Sequence, residues 1–262
     1  MRIKVGEIQL NYEVSGNKDG DILVMSHSLG CNLSMWEPQL GALESRFRVL
    51  RYDTRGHGKS DVPKGPYTLD QLVRDAADLM DALGIEQAHW VGLSMGGMIG
   101  QGLALDYPGR LKSLVLCDTA SVMPDEAQPI WDERIGQVRR GGMKARIPET
   151  LRDWFTPEFV EKNPPVLEKV RQQLLSTPVE GYVGCIEAFR KLDYIGRLHQ
   201  IKIPTLIMVG EKDPGTPVEA SRAMHERIRG SKLVILPSAA HLSNAEQPEA
   251  FTKALMDFFS KM

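Results

Sequence analysis

One stretch narrows the possible folds more than any other: Gly92-Leu93-Ser94-Met95-Gly96-Gly97. Before it, His89-Trp90-Val91-Gly92-Leu93 reads as a buried strand, and after it Met98 to Tyr107 reads as a helix. A strand must therefore turn into a helix within a few residues. Glycines at 92 and 96 permit the close approach of strand and helix, and the apex residue, Ser94, is forced into a strained backbone. A strand–turn–helix unit of this kind belongs to α/β architectures.

The rest of the chain agrees. Ile8 to Val14 alternates apolar and polar residues, the period of a half-buried strand. Ile22–Met25, Leu111–Leu116, Thr205–Val209 and Leu233–Leu236 are short, mostly apolar runs, and Phe47–Tyr52 precedes a loop rich in glycine and charge. Thr68 to Leu83 predicts a helix: Thr68 and Gln71 have capping-box spacing, Leu69, Leu72, Val73, Ala76, Leu79, Met80 and Leu83 share a face, and Gly84 follows. Pro248 opens a final helix with Phe251, Ala254, Leu255 and Phe258 on one side. The expectation is a mostly parallel central sheet with helices on both faces, extended by an antiparallel pair at the N-terminus.

From Met123 to Ile195 the pattern is helical and contains no convincing strand. The expected organisation is one catalytic domain with its core at 1–122 and 196–262 and a helical cap at 123–195. An independent helical domain is the less favoured alternative. The cap would cover the carboxyl edge of the sheet, where open α/β sheets bind ligands.

Charge and cysteine content remove other classes. The formal net charge is −2, which gives no support for nucleic acid or an anionic membrane as partner. Cys31, Cys117 and Cys185 are scattered and form no C-x-x-C, so neither a disulfide framework nor a cysteine-based zinc site is indicated. A cytoplasmic protein fits this usage, and no stretch approaches the ~20 apolar residues of a membrane span. The glycines of 92–97 form neither G-x-G-x-x-G nor a P-loop, and H-E-x-x-H is absent, so no cofactor and no metal are expected.

Serine at such a turn needs a base, and the base an orienting acid, in the chain order Ser, Asp or Glu, His. His241 follows the strand Leu233–Leu236 and precedes the last helix, so it is the expected base. His225, in a charged helix, is expected at the surface, and His199 sits in a polar turn before Ile201. Asp213, after the strand Thr205–Val209, is the preferred acid, because that strand should neighbour the one before His241. Asp118, at the end of Leu111–Cys117, is the alternative, and otherwise caps the insert or binds backbone. The oxyanion hole requires two main-chain N–H groups, expected from Met95 and from Leu29 in the loop His27-Ser28-Leu29-Gly30. His27 precedes Ser94 and is read as structural. Arg134, Arg139, Arg140, Lys144 and Arg146 are read as a solvated helix face, or more sharply as a collector of anionic substrate.

Taken together, these residues resemble the α/β-hydrolase superfamily over nearly the whole chain. Ser28-Leu29-Gly30, Leu33-Ser34-Met35-Trp36, Phe47 to Gly58, Lys64 to Thr68, Gly92 to Gly97 and His241 to Glu246 are similar to the 3-oxoadipate enol-lactonases of aromatic-acid degradation. In the insert, Trp131, Trp154-Phe155-Thr156 and Glu180-Gly181-Tyr182 resemble that family's cap. Asp118 departs from it, standing where those enzymes tend to have asparagine. The resemblance implies cofactor-free hydrolysis of a small unsaturated lactone bearing a carboxylate. It places the triad at Ser94, Asp213 and His241, and Trp131 is the candidate substrate wall. The partner is then a small ester or lactone, with neither nucleic acid nor membrane, and the oligomeric state is left open. A general short-chain carboxylesterase is the second reading, and a ligand receptor on the same fold a distant third.

Overall fold

The computed structural model describes all residues, 1–262. Its sheet has eight strands: β1 (Arg2–Val5), β2 (Ile8–Gly16), β3 (Ile22–Ser26), β4 (Arg48–Tyr52), β5 (Ala88–Leu93), β6 (Leu111–Cys117), β7 (Thr205–Gly210) and β8 (Lys232–Leu236). The order across the sheet is β1-β2-β4-β3-β5-β6-β7-β8. From β4 onward every neighbouring pair is parallel, while β1–β2 and β2–β4 are antiparallel. Strands β5 and β7 are buried along their whole length, as expected of strands covered on both faces.

The helices are α1 (Glu37–Leu43), α2 (Leu69–Ala82), α3 (Met95–Asp106), α4 (Gln128–Gly141), α5 (Ile147–Trp154), α6 (Pro157–Lys162), α7 (Pro165–Ser176), α8 (Val179–Phe189), α9 (Val218–Arg227), α10 (Ser243–Glu246) and α11 (Pro248–Phe259). The Thr68–Gln71 capping box of α2 is formed in both directions, and Gly84 takes φ +67° after its end. Pro248 opens α11 as expected. Helix α3 begins at Met95 rather than Met98, because Ser94 itself is its N-cap residue and the turn consumes no extra chain. Helix α1 was not anticipated, since seven residues are too few to display a period.

All five helices α4–α8 lie between β6 and β7. The ends of this segment meet: Val122 bridges Asp193, Met123 N–H donates to Leu192 O at 2.8 Å, and Tyr194 N–H donates to Ser121 O at 2.7 Å. No helix of the chain is long and apolar enough to cross a membrane.

Candidate active site

Ser94 sits at φ 54° and ψ −115°, a backbone conformation rarely adopted by an L-residue, costing on the order of 1–3 kcal/mol. The surroundings enforce it. A Cβ at Gly92 would lie 2.1 Å from Gly96 O, and one at Gly96 would lie 2.1 Å from Ser26 O. Ser94 N–H donates to Cys117 O at 2.9 Å, and the Thr119 hydroxyl donates to Ser94 O at 2.7 Å. The side chain is thereby held above the carboxyl end of the sheet.

Ser94, Asp118, Asp213 and His241 follow β5, β6, β7 and β8, four adjacent strands. His241 Nε2 is 3.0 Å from Ser94 Oγ, and His241 Nδ1 is 2.8 Å from Asp213 Oδ2. Asp213 Oδ1 accepts from Gly215 N–H at 2.8 Å and Thr216 N–H at 3.0 Å, and Oδ2 accepts from the Thr216 hydroxyl at 2.6 Å. Ser94, Asp213 and His241 are 9%, 4% and 7% exposed. Burial works against the charged imidazolium of His241, but the Asp213 carboxylate outweighs it and holds the ring above its ordinary value. Burial likewise opposes ionisation of Asp213, yet His241 and the Thr216 donors keep it below the usual carboxylate range.

Asp118 is not joined to His241. Its Oδ1 accepts from Gly210 N–H at 2.8 Å and its Oδ2 from the Ser243 hydroxyl at 2.5 Å. Full burial, reinforced by the Asp213 charge, pushes its carboxyl well above the ordinary value. The sequence-level alternative for the acid is therefore a backbone tether between β7 and α10. His199 and His225 are exposed, and neither is joined to Ser94: His199 Nδ1 binds Gly196 O and His225 Nδ1 binds the Ser231 hydroxyl.

The main chain supplies two donors. Met95 is the first residue of α3, so its N–H has no acceptor within the helix. The Ser28–Leu29 peptide is oriented by its carbonyl: Ser28 O accepts from His27 Nδ1 at 2.7 Å and from Cys31 N–H at 3.1 Å. Because a trans peptide points its N–H opposite to its C=O, the Leu29 N–H is turned away from these groups, and both Ser28 and Leu29 line the cavity over Ser94. His27 can donate from Nδ1 because its Nε2 accepts from Thr54 N–H at 3.0 Å, and burial holds the ring near a pKa of about 4, neutral. His57, which the sequence reading passed over, does the same one residue further on. Its Nε2 accepts from Gly30 N–H at 2.9 Å, and burial, helped by His27, lowers its pKa to about 3.

The cavity is about 250 Å³, and Ser28, Leu29, Ser94, Met98 and His241 form its floor. Trp131, Arg134, Asp153, Trp154, Tyr182 and Phe189 face them from the helical segment between β6 and β7. Trp131 packs edge-on against Phe189 at 5.1 Å, and its Nε1–H donates to Met123 Sδ at 3.2 Å. The expected basic face divides. Arg139, Arg140 and Lys144 are exposed, whereas Arg146 is buried and Arg134 lines the cavity. The solvated-face reading is thus corrected for two of the five. Spacing carried the signal: Trp131, Arg134, Ile135 and Val138 fall at i, i+3, i+4 and i+7, which puts Arg134 on the inward stripe. Asp153 is shared between Arg134 at 3.0 Å and Arg146 at 2.8 Å.

Glu246 is a second group missed in the sequence. It is buried, and its carboxylate accepts from Ala240 N–H at 2.8 Å, Thr156 N–H at 3.0 Å and the Thr156 hydroxyl. Leu242 N–H donates to Trp154 O at 3.1 Å. The loop carrying His241 is in this way bonded to the α5–α6 junction. No cluster of three or more His, Cys, Asp or Glu side chains converges as a metal site would.

A Ser–His–Asp chain on the carboxyl edge of a β1-β2-β4-β3-β5-β6-β7-β8 sheet defines a class, and the comparisons with known proteins agree. The family model for the α/β hydrolase fold matches residues 21–248, and the chain belongs to that family. Among its relatives, 3-oxoadipate enol-lactonase 2 of Acinetobacter baylyi is 41% identical over 249 residues, 95% of this chain and 92% of that one. The crystal structure of the enol-lactonase from Burkholderia xenovorans LB400 superposes with a TM-score of 0.96 at 39% identity, covering 99% of this chain and 100% of that one. A malate-bound thermophilic esterase from Thermogutta terrifontis gives 0.93 at 33% identity, covering 100% and 98%.

Proposed function

We propose that the protein hydrolyses a small carboxylic ester through an acyl-enzyme on Ser94, and that its substrate is an enol-lactone bearing a carboxylate, as in the enol-lactonases it is similar to. The observation that carries this is the Ser94–His241–Asp213 chain beneath a small cavity whose far wall presents Arg134. Ligand pockets of about 300–1,000 Å³ suit drug-sized molecules, so a cavity of about 250 Å³, below that range, favours a small substrate.

Ser94 Oγ attacks the lactone carbonyl carbon while its proton passes to His241 Nε2. The carbonyl π pair moves onto oxygen, where the N–H groups of Leu29 and Met95 receive it. Asp213 holds the imidazolium so formed. Collapse reforms the carbonyl and breaks the ring C–O bond, and the His241 proton goes to the leaving enol oxygen. The enol tautomerises to a ketone, which opposes ring closure. Water then gives a proton to His241 and its hydroxyl to the acyl carbon, and Ser94 leaves with that proton. Residues 123–195 act as a cap on a core formed by 1–122 and 196–262, with Trp131 as a wall for the opened chain. Asp153 is divided between two guanidiniums, and Arg134 Nε is buried without an acceptor, so Arg134 can take a second carboxylate.

The test is kcat/KM for 3-oxoadipate enol-lactone against p-nitrophenyl acetate, with Ser94→Ala as control. A preference for the lactone and loss of both activities in Ser94→Ala are expected. Preference for the neutral ester would replace the lactone reading with a general esterase, which the similarity to the Thermogutta esterase favours. Retained activity in Ser94→Ala would remove the nucleophile.

A further inference from the structure

Among the hydroxyls lining the cavity, that of Ser28 is the one fully buried without a partner. It is 1% exposed, and Ser28 Oγ is buried without any hydrogen-bond partner in the protein. Other polar side chains of the cavity are engaged: Ser94 and Thr216 with the His241–Asp213 chain, and Asp153 with two arginines. A buried hydroxyl without a partner carries the full cost of its desolvation, so a ligand atom that satisfies it is the economical explanation for its presence.

Position says which atom. Ser28 O is occupied by His27 Nδ1 and Cys31 N–H, which turns the Leu29 N–H to the cavity side. Only four covalent bonds separate Ser28 Oγ from Leu29 N. Bond lengths of ~1.3–1.5 Å per step keep the two atoms within about 5 Å, so one acceptor oxygen between them can reach both. The hydroxyl hydrogen rotates freely to suit. The atom that Leu29 N–H is placed to receive is the carbonyl oxygen of the ester as it becomes an oxyanion. Ser28 and Ser94 line the same cavity, on its core side.

We propose that the Ser28 hydroxyl is a third donor to the oxyanion, beside the main-chain N–H groups of Leu29 and Met95. The inference rests on the acyl-enzyme reading of Ser94 but not on the identity of the substrate. Because the hydroxyl serves charge that develops during reaction, it acts on the transition state more than on bound substrate. It is a catalytic residue in that sense, since it touches the reacting oxygen.

The test is Ser28→Ala, measured on p-nitrophenyl acetate as well as on the enol-lactone. Loss of one oxyanion donor of two lowers kcat on the order of 10²–10³-fold, so loss of one of three should cost about 10- to 100-fold, with KM little changed. The loss should be equal for both substrates. Tm should stay level or rise, because alanine removes an unpaired buried hydroxyl. Binding of a trifluoromethyl ketone, which adds Ser94 to form a tetrahedral oxyanion, should weaken by the factor lost from kcat/KM. The matching methyl ketone, which stays largely unadded, should bind as before. Three results overturn the proposal: kcat within about twofold of wild type, a loss confined to KM, or a lower Tm accompanying any loss, which would mark a packing role. Failure of the lactone reading leaves the p-nitrophenyl acetate and ketone arms readable, and Ser94→Ala reports separately on the nucleophile.

Discussion

Replacing Asp213 by asparagine isolates the role of its charge with almost no change of shape. The structure dictates how the amide must sit. Asp213 Oδ1 accepts two main-chain N–H groups, from Gly215 and Thr216, so this position has to remain an oxygen. The amide nitrogen then takes the place of Oδ2, 2.8 Å from His241 Nδ1. An NH2 group there donates to Nδ1, which moves the imidazole hydrogen to Nε2, the atom 3.0 Å from Ser94 Oγ. The ring becomes a donor toward the serine and cannot take its proton. A loss of about 10⁴ in kcat is expected, near 5.5 kcal/mol of transition-state stabilisation. Asp118→Asn makes the counterpart. Its Oδ1 keeps the Gly210 N–H, and the Ser243 hydroxyl can rotate to accept from the new amide, so activity should stay within about tenfold. Turnover of p-nitrophenyl acetate at pH 8, with circular dichroism to confirm folding, reads both variants. A folded Asp213→Asn enzyme with more than a tenth of wild-type kcat would refute the tautomer argument, and an inactive, folded Asp118→Asn enzyme would show that the acid is Asp118.

Three further outcomes are expected. Because Asp213 outweighs burial and raises His241, and because the neutral ring is the active form, kcat/KM should fall as pH drops through a value above the ordinary ~6.5, and a pH–rate profile with its acid limb near 5.5 would contradict this. Gly181→Ala places a Cβ 1.9 Å from Gly56 O and should lower both Tm and kcat, at an overpacking cost of about 1–3 kcal/mol, by pushing α8 off the loop that carries His57; Gly41→Ala, with open space around its Cβ, should do neither, and equal thermal melts for the two variants would refute the contact. Arg134→Met should raise KM for the carboxylate-bearing lactone about tenfold or more and leave p-nitrophenyl acetate unaffected, while the exposed pair Arg139→Glu/Arg140→Glu should change neither; steady-state kinetics on both substrates decide, and a lactone KM that follows Arg139/Arg140 instead would restore the outer-face collector.

What could be read from residues was whatever short-range chemistry dictates. The turn at Gly92–Gly97 announces itself because sterics leave so few alternatives, and Ser94, Asp213 and His241 follow from chain order and from strands that must end on one edge. The capping box of α2 is equally local. What stayed hidden is held by contacts between segments with no shared period. His27 and His57 set the oxyanion loop through Thr54 and Gly30, that is, between two loops whose register no pattern encodes. Glu246 reaches Thr156 across ninety positions of sequence. Arg134 is an intermediate case: its spacing from Trp131, Ile135 and Val138 put it on the inward stripe, but the cluster of charges around it suggested the opposite.

These hidden contacts also determine how specificity and catalysis are joined. The helical segment over the cavity meets the sheet-borne machinery at two separate places. Glu246 and the Leu242–Trp154 hydrogen bond tie the α5–α6 junction to the loop of the base, and Trp154 lies 6.3 Å from the His241 ring. On the other side, α8 packs backbone to backbone on the loop 53–58, whose His57 holds Gly30 beside the oxyanion donor. The α5–α6 junction and α8 are therefore tied to the loop of His241 and to loop 53–58, respectively. Such ties would suit the proposed lactone, whose leaving group stays attached to the acyl chain and has to remain inside until water arrives. If this linkage holds, substitutions in α5 or α8 should act on kcat, whereas Trp131 and Arg134 on α4, which meet those loops only through α5 and α8, should act mainly on KM.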